Sequence, residues 1–156
     1  MATNYGKKFE KVFEQDWVKS FPCSFILRLP DQQSGYYGAS SNPCDYICYV
    51  NKKLYLLELK SHLGNTFPLD NLRQYEKLAK YAGIQGVISG VIIWFRDRDK
   101  VVFCPISSVI KMKMDDKKSI NIKYLETKEY DLIEIPSSKK RVFMESNYTL
   151  LGDYNG

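Results

Sequence analysis

Two acidic residues and a lysine stand at a spacing that could form a metal-dependent catalytic site. Asp45 is followed after twelve residues by Glu58, and Lys60 lies two positions further on. Carboxylates suit the hard cation Mg²⁺, which keeps several waters and takes one or two carboxylates together with phosphate oxygens. Such an ion polarises a phosphate and lowers the pKa of bound water, while a lysine could orient or deprotonate that water or stabilise developing charge. These residue types predict hydrolysis of a phosphodiester.

The residues between the two acids predict a β-hairpin that brings them together. Two runs rich in Tyr, Ile, Val and Leu, residues 46–50 and 53–59, are separated by two polar residues. If those two residues form the loop, Asp45 faces Glu58 directly across the hairpin. Directly opposed residues share a face, with Cβ atoms roughly 5 Å apart. Lys60 lies two residues beyond Glu58 and therefore points to the same face.

The alternative interpretation of this pattern is a solvated strand edge, because the bare spacing is weak. The second strand of the hairpin, however, is apolar on both faces up to Glu58, which is typical of a central, buried strand. A buried carboxylate needs a partner, and two opposed like charges destabilise a sheet unless something compensates them. A divalent cation between the two acids would do so, and this context favours a metal site.

Length and composition argue against a disordered chain, a zinc-binding protein, a secreted protein and a membrane-spanning protein. The chain has 156 residues, 44% of them hydrophobic, which predicts one folded domain with a core. Its net charge of +5 suits a polyanionic partner. Four cysteines without a CxxC pair, with a single histidine, indicate reduced thiols in a cytoplasmic protein and no zinc site. The polar N-terminus predicts no signal peptide, and no apolar run is long enough to span a membrane.

Periodicity along the chain predicts an α/β fold. We expect a single domain with a mixed central β-sheet flanked by helices, a catalytic core over about 6–110, and a C-terminal region, about 111–156, of uncertain structure. Ser107 or Ser108 is expected to cap the last helix of the core. The predicted elements are a helix over 6–19, a strand over 25–29, the hairpin, a helix over 69–82, strands over 87–95 and 101–105, and a short helix to 114.

Further residues around the hairpin resemble a known family. The sequence is similar to the PD-(D/E)xK nucleases and, within them, to the RecU Holliday junction resolvases. The similarity covers roughly residues 40–95 and includes Asp45-Tyr46, the twelve-residue gap, Glu58-x-Lys60, Asn65-Thr66-Phe67-Pro68-Leu69, Gln74, and Gly-Ile-x-Gly-Val over 83–87. It implies a restriction-endonuclease-like core and Mg²⁺-dependent cleavage of DNA, with Mn²⁺ as a substitute. A four-way junction needs two symmetric cuts, so a homodimer is expected.

The resemblance also implies roles for individual residues. It makes Asp45 and Glu58 metal ligands, adds the main-chain carbonyl of Leu59 as a further ligand, and assigns the lysine of the motif to orienting water or stabilising charge. Gln74 is expected to touch the scissile region from the helix behind the site. Glu10 is expected to be a helper carboxylate from the first helix, for which an ordinary surface acid is the alternative.

Three groups of residues are candidates for DNA contact. Basic side chains that share a helix face could bind phosphates, and aromatic side chains could stack on bases at a branch point. Solvated helix faces and loop packing are the alternatives. The candidates are Lys7, Lys8 and Lys11 on the first helix, Arg73, Lys77 and Lys80 at i, i+4 and i+7 on the second, and Tyr36 and Tyr37 in the loop before the hairpin.

Three departures from the family pattern keep other functions open. The segment over 30–43 is shorter than the stalk that the family inserts into the junction, Arg73 replaces the usual His, and Cys44 replaces a hydroxyl residue. The first alternative is another PD-(D/E)xK nuclease, of restriction or repair type, acting on duplex or branched DNA. The second is a basic DNA-binding module without cleavage. A scaffold in which the acids merely pair with lysines is a remote third.

Overall fold

Six strands form a central sheet with helices on both of its faces. The computed structural model of the protein describes residues 3–31 and 42–155. A 3-10 turn over Leu69–Asn71 precedes the second helix. In chain order, the helices and strands are α1 Tyr5–Ser20, β1 Phe25–Arg28, β2 Tyr46–Val50, β3 Lys53–His62, β4 Thr66–Pro68, α2 Tyr75–Lys80, β5 Val87–Phe95, β6 Lys100–Pro105, α3 Ile106–Met114, β7 Ser119–Asn121, α4 Tyr124–Thr127, β8 Ile133–Ile135, β9 Ser137–Lys139, β10 Met144–Ser146 and α5 Thr149–Gly152.

The central sheet is mixed, as the sequence predicted. Its strand order is β1-β2-β3-β5-β6-β8. The pair β3–β5 is parallel and the other neighbours are antiparallel. Two small ribbons, β4–β7 and β9–β10, lie outside this sheet. Because β3 and β5 are central and covered on both faces, they can be apolar almost throughout, as their sequences are.

The hairpin β2–β3 has the predicted loop and register. Asn51 and Lys52 both have positive φ, 52° and 64°, which is the conformation of a type I′ turn. Val50 pairs with Lys53, and Tyr46 at the other end of β2 pairs with Leu57. The two-residue loop is therefore confirmed, and the same count places the residue before Tyr46 opposite the residue after Leu57.

Each face of the sheet packs against its own hydrophobic cluster. On one face, α1 buries Phe9, Phe13 and Trp17 against alternate residues of β3 such as Tyr55 and Leu57. On the other face, the packing residues come from the 3-10 turn, α2, α3, β7 and α4: Leu69, Leu72, Leu78, Ile106, Val109, Met112, Ile120 and Tyr124. The sheet is thus buried on both sides. Side chains near the ends of its strands are therefore the ones that can reach solvent and bind a substrate.

The C-terminal region packs into the same core as the N-terminal helix. Strand β8 joins the edge of the central sheet beside β6. The Asp16 carboxylate accepts a hydrogen bond from the Ser146 backbone N–H at 2.9 Å, and Ser20 Oγ accepts one from the Tyr148 N–H at 2.9 Å. Tyr148 is fully buried. These contacts hold α1 and the last forty residues together.

Two predicted helix features are wrong. The helix expected over 69–82 is interrupted, because the Leu72 N–H closes a 3-10 turn on the Leu69 carbonyl and Leu72 leaves the helical region with ψ 77°. The α-helix that follows is therefore limited to Tyr75–Lys80. Neither Ser107 nor Ser108 caps α3, which begins directly after Pro105, and the Ser108 hydroxyl donates to the Asp131 carbonyl instead.

None of the helices in the described part of the chain is both long and apolar enough to cross a bilayer.

Candidate active site

The candidate site lies where β2 begins and β3 continues past it. The Asp45 N–H donates to the Leu57 carbonyl at 3.0 Å, and the Asp45 carbonyl accepts from the Leu29 N–H at 2.8 Å. The backbone of Asp45 is therefore held between the extension of β1 and the middle of β3. Continuing the register beyond Tyr46 sets Asp45 opposite Glu58, as expected from the loop length.

The Asp45 side chain is oriented by the strand it faces. Its Oδ2 accepts a hydrogen bond from the Leu59 backbone N–H at 2.9 Å. Burial raises the pKa of the Asp45 carboxyl above its usual value, and the Leu59 N–H and the charges of Lys60 and Arg28 oppose that rise. The carboxylate is thus fixed in direction while its negative charge remains incompletely compensated.

Glu58 is a buried carboxylate with one free oxygen. It is 2% exposed, and its Oε1 lies 3.3 Å from Lys60 Nζ. Its Oε2 is buried without a hydrogen-bond partner among the residues that the structure describes. Burial raises the pKa of Glu58 to about 8, the nearby Asp45 charge adds to that rise, and Lys60 opposes it. A buried acceptor left unpaired is costly, so this geometry calls for a positively charged partner.

The site fits a hard divalent cation that is bound by only a few protein ligands. The carboxyl groups of Asp45 and Glu58 are opposed in the register of the hairpin, and Mg²⁺ binds through one or two carboxylates with water in its other positions. Binding of the cation would release the proton that burial holds on Glu58. Within residues 3–31 and 42–155, no group of three or more His, Cys, Asp or Glu side chains could hold a metal ion. The carbonyl of Leu59 as a further ligand remains a prediction. In a strand, N–H and C=O of one residue point to the same edge, so this carbonyl lies on the Asp45 side.

Glu10 lies close to this centre and is paired with an arginine. Its carboxylate accepts from Arg28 Nε at 3.0 Å, and Arg28 also donates to Asp31 at 3.1 Å. Burial raises the pKa of Glu10, the Asp45 charge adds to this, and Arg28 opposes it. The Tyr46 hydroxyl donates to the Glu10 carbonyl at 3.2 Å and so ties α1 to β2. Glu10 is therefore near the carboxylate pair, and its role as a helper stays a prediction.

Arg28 is the residue of this centre that sequence reasoning missed. It pairs with Tyr46 in the register of β1 and β2, next to Asp45, and its charge acts on the Asp45 carboxyl. The available signal was the strand FILR ahead of the loop, since pairing that strand with β2 would have placed Arg28 at the site. The pairing could not be inferred because the long connection over 29–45 separates the two strands in the sequence.

Gln74 stands at the start of α2, and its Oε1 is buried. In the described part of the chain this oxygen finds no hydrogen-bond donor. The predicted contact with the scissile region would satisfy it, and that role stays a prediction.

The three groups of predicted DNA-contacting residues differ in where the structure places them. Lys7, Lys8 and Lys11 are exposed on α1. Arg73 precedes α2, whereas Lys77 and Lys80 lie on it, so the prediction of three basic residues on one helix face is wrong for Arg73. The reason is the break at Leu72, which changes the direction of the chain. Tyr36 and Tyr37 lie outside the described residues.

The partly buried Asp45 lies opposite the buried Glu58 in the register of the hairpin, with Lys60 beside Glu58, an arrangement that could hold a divalent cation. Comparison with known proteins identifies the family. The model of a family described as RecU, recombination protein U, matches residues 25–143. The chain belongs to the RecU family, and the resemblance seen in the sequence is confirmed. The matched segment contains Arg28, Asp45, Glu58 and Lys60 and begins after α1.

One solved structure has an arrangement similar to part of this chain. It is Hjc of Archaeoglobus fulgidus, described as a Holliday junction resolvase from an archaeal hyperthermophile. The two are 20% identical, the match covers 66% of this chain and 78% of that one, and the TM-score is 0.48. Among functionally curated proteins, none matches the chain.

Proposed function

We propose that this protein is an Mg²⁺-dependent endodeoxyribonuclease that resolves four-way DNA junctions by paired symmetric nicks. The observation that carries the proposal is Glu58, which is buried opposite Asp45 in the register of the hairpin, with one oxygen beside Lys60 and the other without a hydrogen-bond partner in the described part of the chain. Membership of the RecU family supports the junction as the substrate. Mn²⁺ is expected to replace Mg²⁺, because both are hard ions that accept carboxylate, phosphate and water ligands.

Each residue of the site has its own proposed role in the reaction. A bound cation would be held by Asp45, Glu58 and the Leu59 carbonyl, and when present it supplies charge neutralisation on the phosphate and a more acidic water. Lys60, whose side chain is 27% exposed, reaches Glu58 and also faces solvent, so its ammonium can approach an incoming phosphate or water. Arg28 donates a hydrogen bond to Glu10 and opposes the rise in the Glu10 pKa that burial and the Asp45 charge cause.

The surroundings of the site suit DNA as a partner. The exposed lysines of α1 lie on the same helix as Glu10 and can bind phosphates that flank the scissile one. A substrate with two-fold symmetry requires two sites, and a homodimer supplies them. We propose that residues 1–156 act as one nuclease unit in the cytoplasm, where its DNA substrate is found.

Cleavage assays on defined DNA test the proposal. Labelled four-way junction, linear duplex and single strand are incubated with Mg²⁺, Mn²⁺ or EDTA. We expect symmetric nicks confined to the junction and no cleavage in EDTA. Comparable cleavage of linear duplex would contradict junction resolution, and no cleavage combined with tight binding would indicate a binding module.

Substitution of the carboxylate pair tests the assignment of the site. Asp45→Asn removes a charge that the cation needs but keeps the hydrogen bond from Leu59, so we expect loss of cleavage with junction binding retained. Asp153→Asn, at an exposed position after α5, is the matched control and should cleave normally. Normal cleavage by Asp45→Asn would show that the site is elsewhere.

A restriction or repair-type nuclease on the same core is the second candidate. The observation that favours it is the short segment over 30–43 ahead of Asp45, which leaves little chain for a protrusion into a junction. The duplex arm of the same assay distinguishes the two candidates.

A further inference from the structure

The loop after β3 carries an exposed leucine close to the candidate site. Leu63 is 59% exposed and follows His62, the last residue of β3. It lies three residues beyond Lys60, so the chain separates the Cα atoms of Leu63 and Lys60 by no more than about 10 Å. That distance is smaller than the width of the major groove of DNA, roughly 12 Å. DNA whose scissile phosphate meets Lys60 would therefore lie within reach of Leu63.

Hydrogen bonds from two other parts of the chain hold the middle of this loop. The Gly64 N–H donates to the two oxygens of the Asp97 carboxylate at 3.1 and 3.2 Å, and Arg98 Nε donates to Asn65 Oδ1. Both of these partners belong to the turn between β5 and β6. The Asn65 carbonyl accepts from the Ile122 N–H, just after β7, at 2.9 Å.

The two ends of the loop are joined to each other and to β5. The His62 carbonyl accepts from the Arg96 N–H at 2.9 Å, and His62 Nε2 donates to the Thr66 carbonyl at 2.6 Å. The His62 ring also meets the rings of Phe67 and Phe95 edge-on. A single exposed leucine is ordinary on a protein surface. Here the loop that presents it is held at both ends and in the middle, so the side chain would lose little entropy on binding.

We propose that Leu63 is an apolar wedge that enters the base stack at the branch point of the DNA and thereby selects branched over linear substrates. The proposal rests on the proposed function and extends it by naming a specificity-determining residue. Apolar side chains that enter a base step unstack it. The energetic cost is least where pairing and stacking are already interrupted, as at the centre of a four-way junction.

The neighbours of Leu63 favour nucleic acid over an apolar protein surface. The residues around it, His62, Gly64 and Asn65, are polar or lack a side chain, so the exposed apolar area is narrow, whereas an apolar protein interface needs a contiguous patch. The exposed Arg98 uses Nε for Asn65, and the rest of its guanidinium can bind a phosphate beside the opened step.

Fluorescence of 2-aminopurine placed at the branch point tests the wedge directly. In EDTA, saturating wild-type protein is expected to raise the fluorescence of a four-way junction about twofold or more, because the probe leaves the base stack. Leu63→Ala should bind the junction but abolish the rise, and Leu63→Met, which keeps the volume, should retain it. Leu150→Ala is the matched control, at a leucine 48% exposed in α5, which is bonded to Asn51 at the opposite end of β3.

Cleavage kinetics in Mg²⁺ give a second test. Leu63→Ala should lower kcat on a fully paired four-way junction by about tenfold or more with little change in KM, because the wedge acts on bound DNA. A junction with unpaired bases at its centre needs no wedge, so Leu63→Ala should cleave it as fast as wild type. A variant with a distorted site would lose both activities.

The outcomes separate the wedge from the proposed function. The wedge alone is overturned if wild type cleaves the junction without raising the fluorescence. It is also overturned if Leu63→Ala cleaves the fully paired junction as fast as wild type, or is equally impaired on the junction with unpaired bases. A wild-type protein that neither binds nor cleaves junctions would contradict the proposed function, and the wedge with it.

Discussion

Replacing Glu58 with glutamine should change how stability depends on pH in metal-free protein. The carboxyl is 2% exposed, and burial with the nearby Asp45 charge raises its pKa from 4.5 to about 8. Between these two pKa values, Glu58 therefore keeps its proton in the folded state but has lost it in the unfolded chain. The contribution of Glu58 to the free energy of unfolding is fully present below the pKa that Glu58 has in the unfolded chain. It is lost as pH rises through the pKa that Glu58 has in the folded protein.

The size of the effect follows from the pKa difference. A tenfold change in proton affinity is worth about 1.4 kcal/mol, so a rise from 4.5 to about 8 corresponds to a ceiling of roughly 5 kcal/mol above pH 8. Glu58→Gln has no proton to lose and avoids this cost. In EDTA, the free energy of unfolding of Glu58→Gln minus that of wild type should therefore grow steadily from pH 5 to pH 8 and then level off.

Urea unfolding at a series of pH values in EDTA measures this difference. Glu134→Gln, on an exposed glutamate of β8 paired with Lys100, is the matched control and should shift stability by less than about 1 kcal/mol. Adding Mg²⁺ at about a hundred times its dissociation constant should restore roughly 2.7 kcal/mol to wild type and nothing to Glu58→Gln. A difference between Glu58→Gln and wild type that stays flat from pH 5 to pH 9 would refute the reasoning.

Other substitutions test the supports of the site and of the sheet. Arg28→Gln keeps a hydrogen-bond donor but removes the positive charge of Arg28 from beside Glu10 and Asp45. Junction cleavage by this variant should therefore fall at least tenfold, while its melting temperature changes little. Unchanged cleavage kinetics would show that Arg28 does not belong to the site. Gly90→Ala should destabilise the protein by about 2 to 4 kcal/mol, because a Cβ there would lie 2.6 Å from the Cys104 carbonyl oxygen and from the Phe103 ring. The control Gly6→Ala, whose Cβ would meet nothing closer than 3.6 Å, should be neutral or stabilising in a melting experiment.

The local geometry of the hairpin could be predicted because it depends on short-range rules. Strand pairing of period two and a two-residue loop are enough to set Asp45 opposite Glu58, and the loop conformation at Asn51 and Lys52 agrees with this. The apolar sequence of β3 also indicated a central strand, since few other environments accept such a run. The mixed sheet followed from the order of the predicted elements.

Features that depend on long-range contacts could not be predicted in this way. The helical periodicity over 69–82 continues through Leu72, and the chain nevertheless breaks there, in a segment whose Leu69 N–H is hydrogen-bonded to the distant Lys118 carbonyl. Arg28 enters the site through strand pairing across the connection over 29–45, which the sequence does not specify. The short strands of the C-terminal region depend on long-range contacts: β7 pairs with β4, β8 pairs with β6, and β10 is hydrogen-bonded to α1 through Ser146 and Asp16.

The pairing of α1 with the end of the chain has a consequence for the protein's synthesis. Ser146 and Tyr148 bond to α1 across sequence separations of 130 and 128 residues. A ribosome adds about 5 to 20 residues per second, so several seconds pass between emergence of Lys60 and emergence of Tyr148. During that interval the nascent chain carries Asp45, Glu58 and Lys60 but lacks two of the hydrogen bonds that hold α1, the helix of Glu10. We therefore expect Glu10 to reach its final position only after the last residues of the chain have emerged.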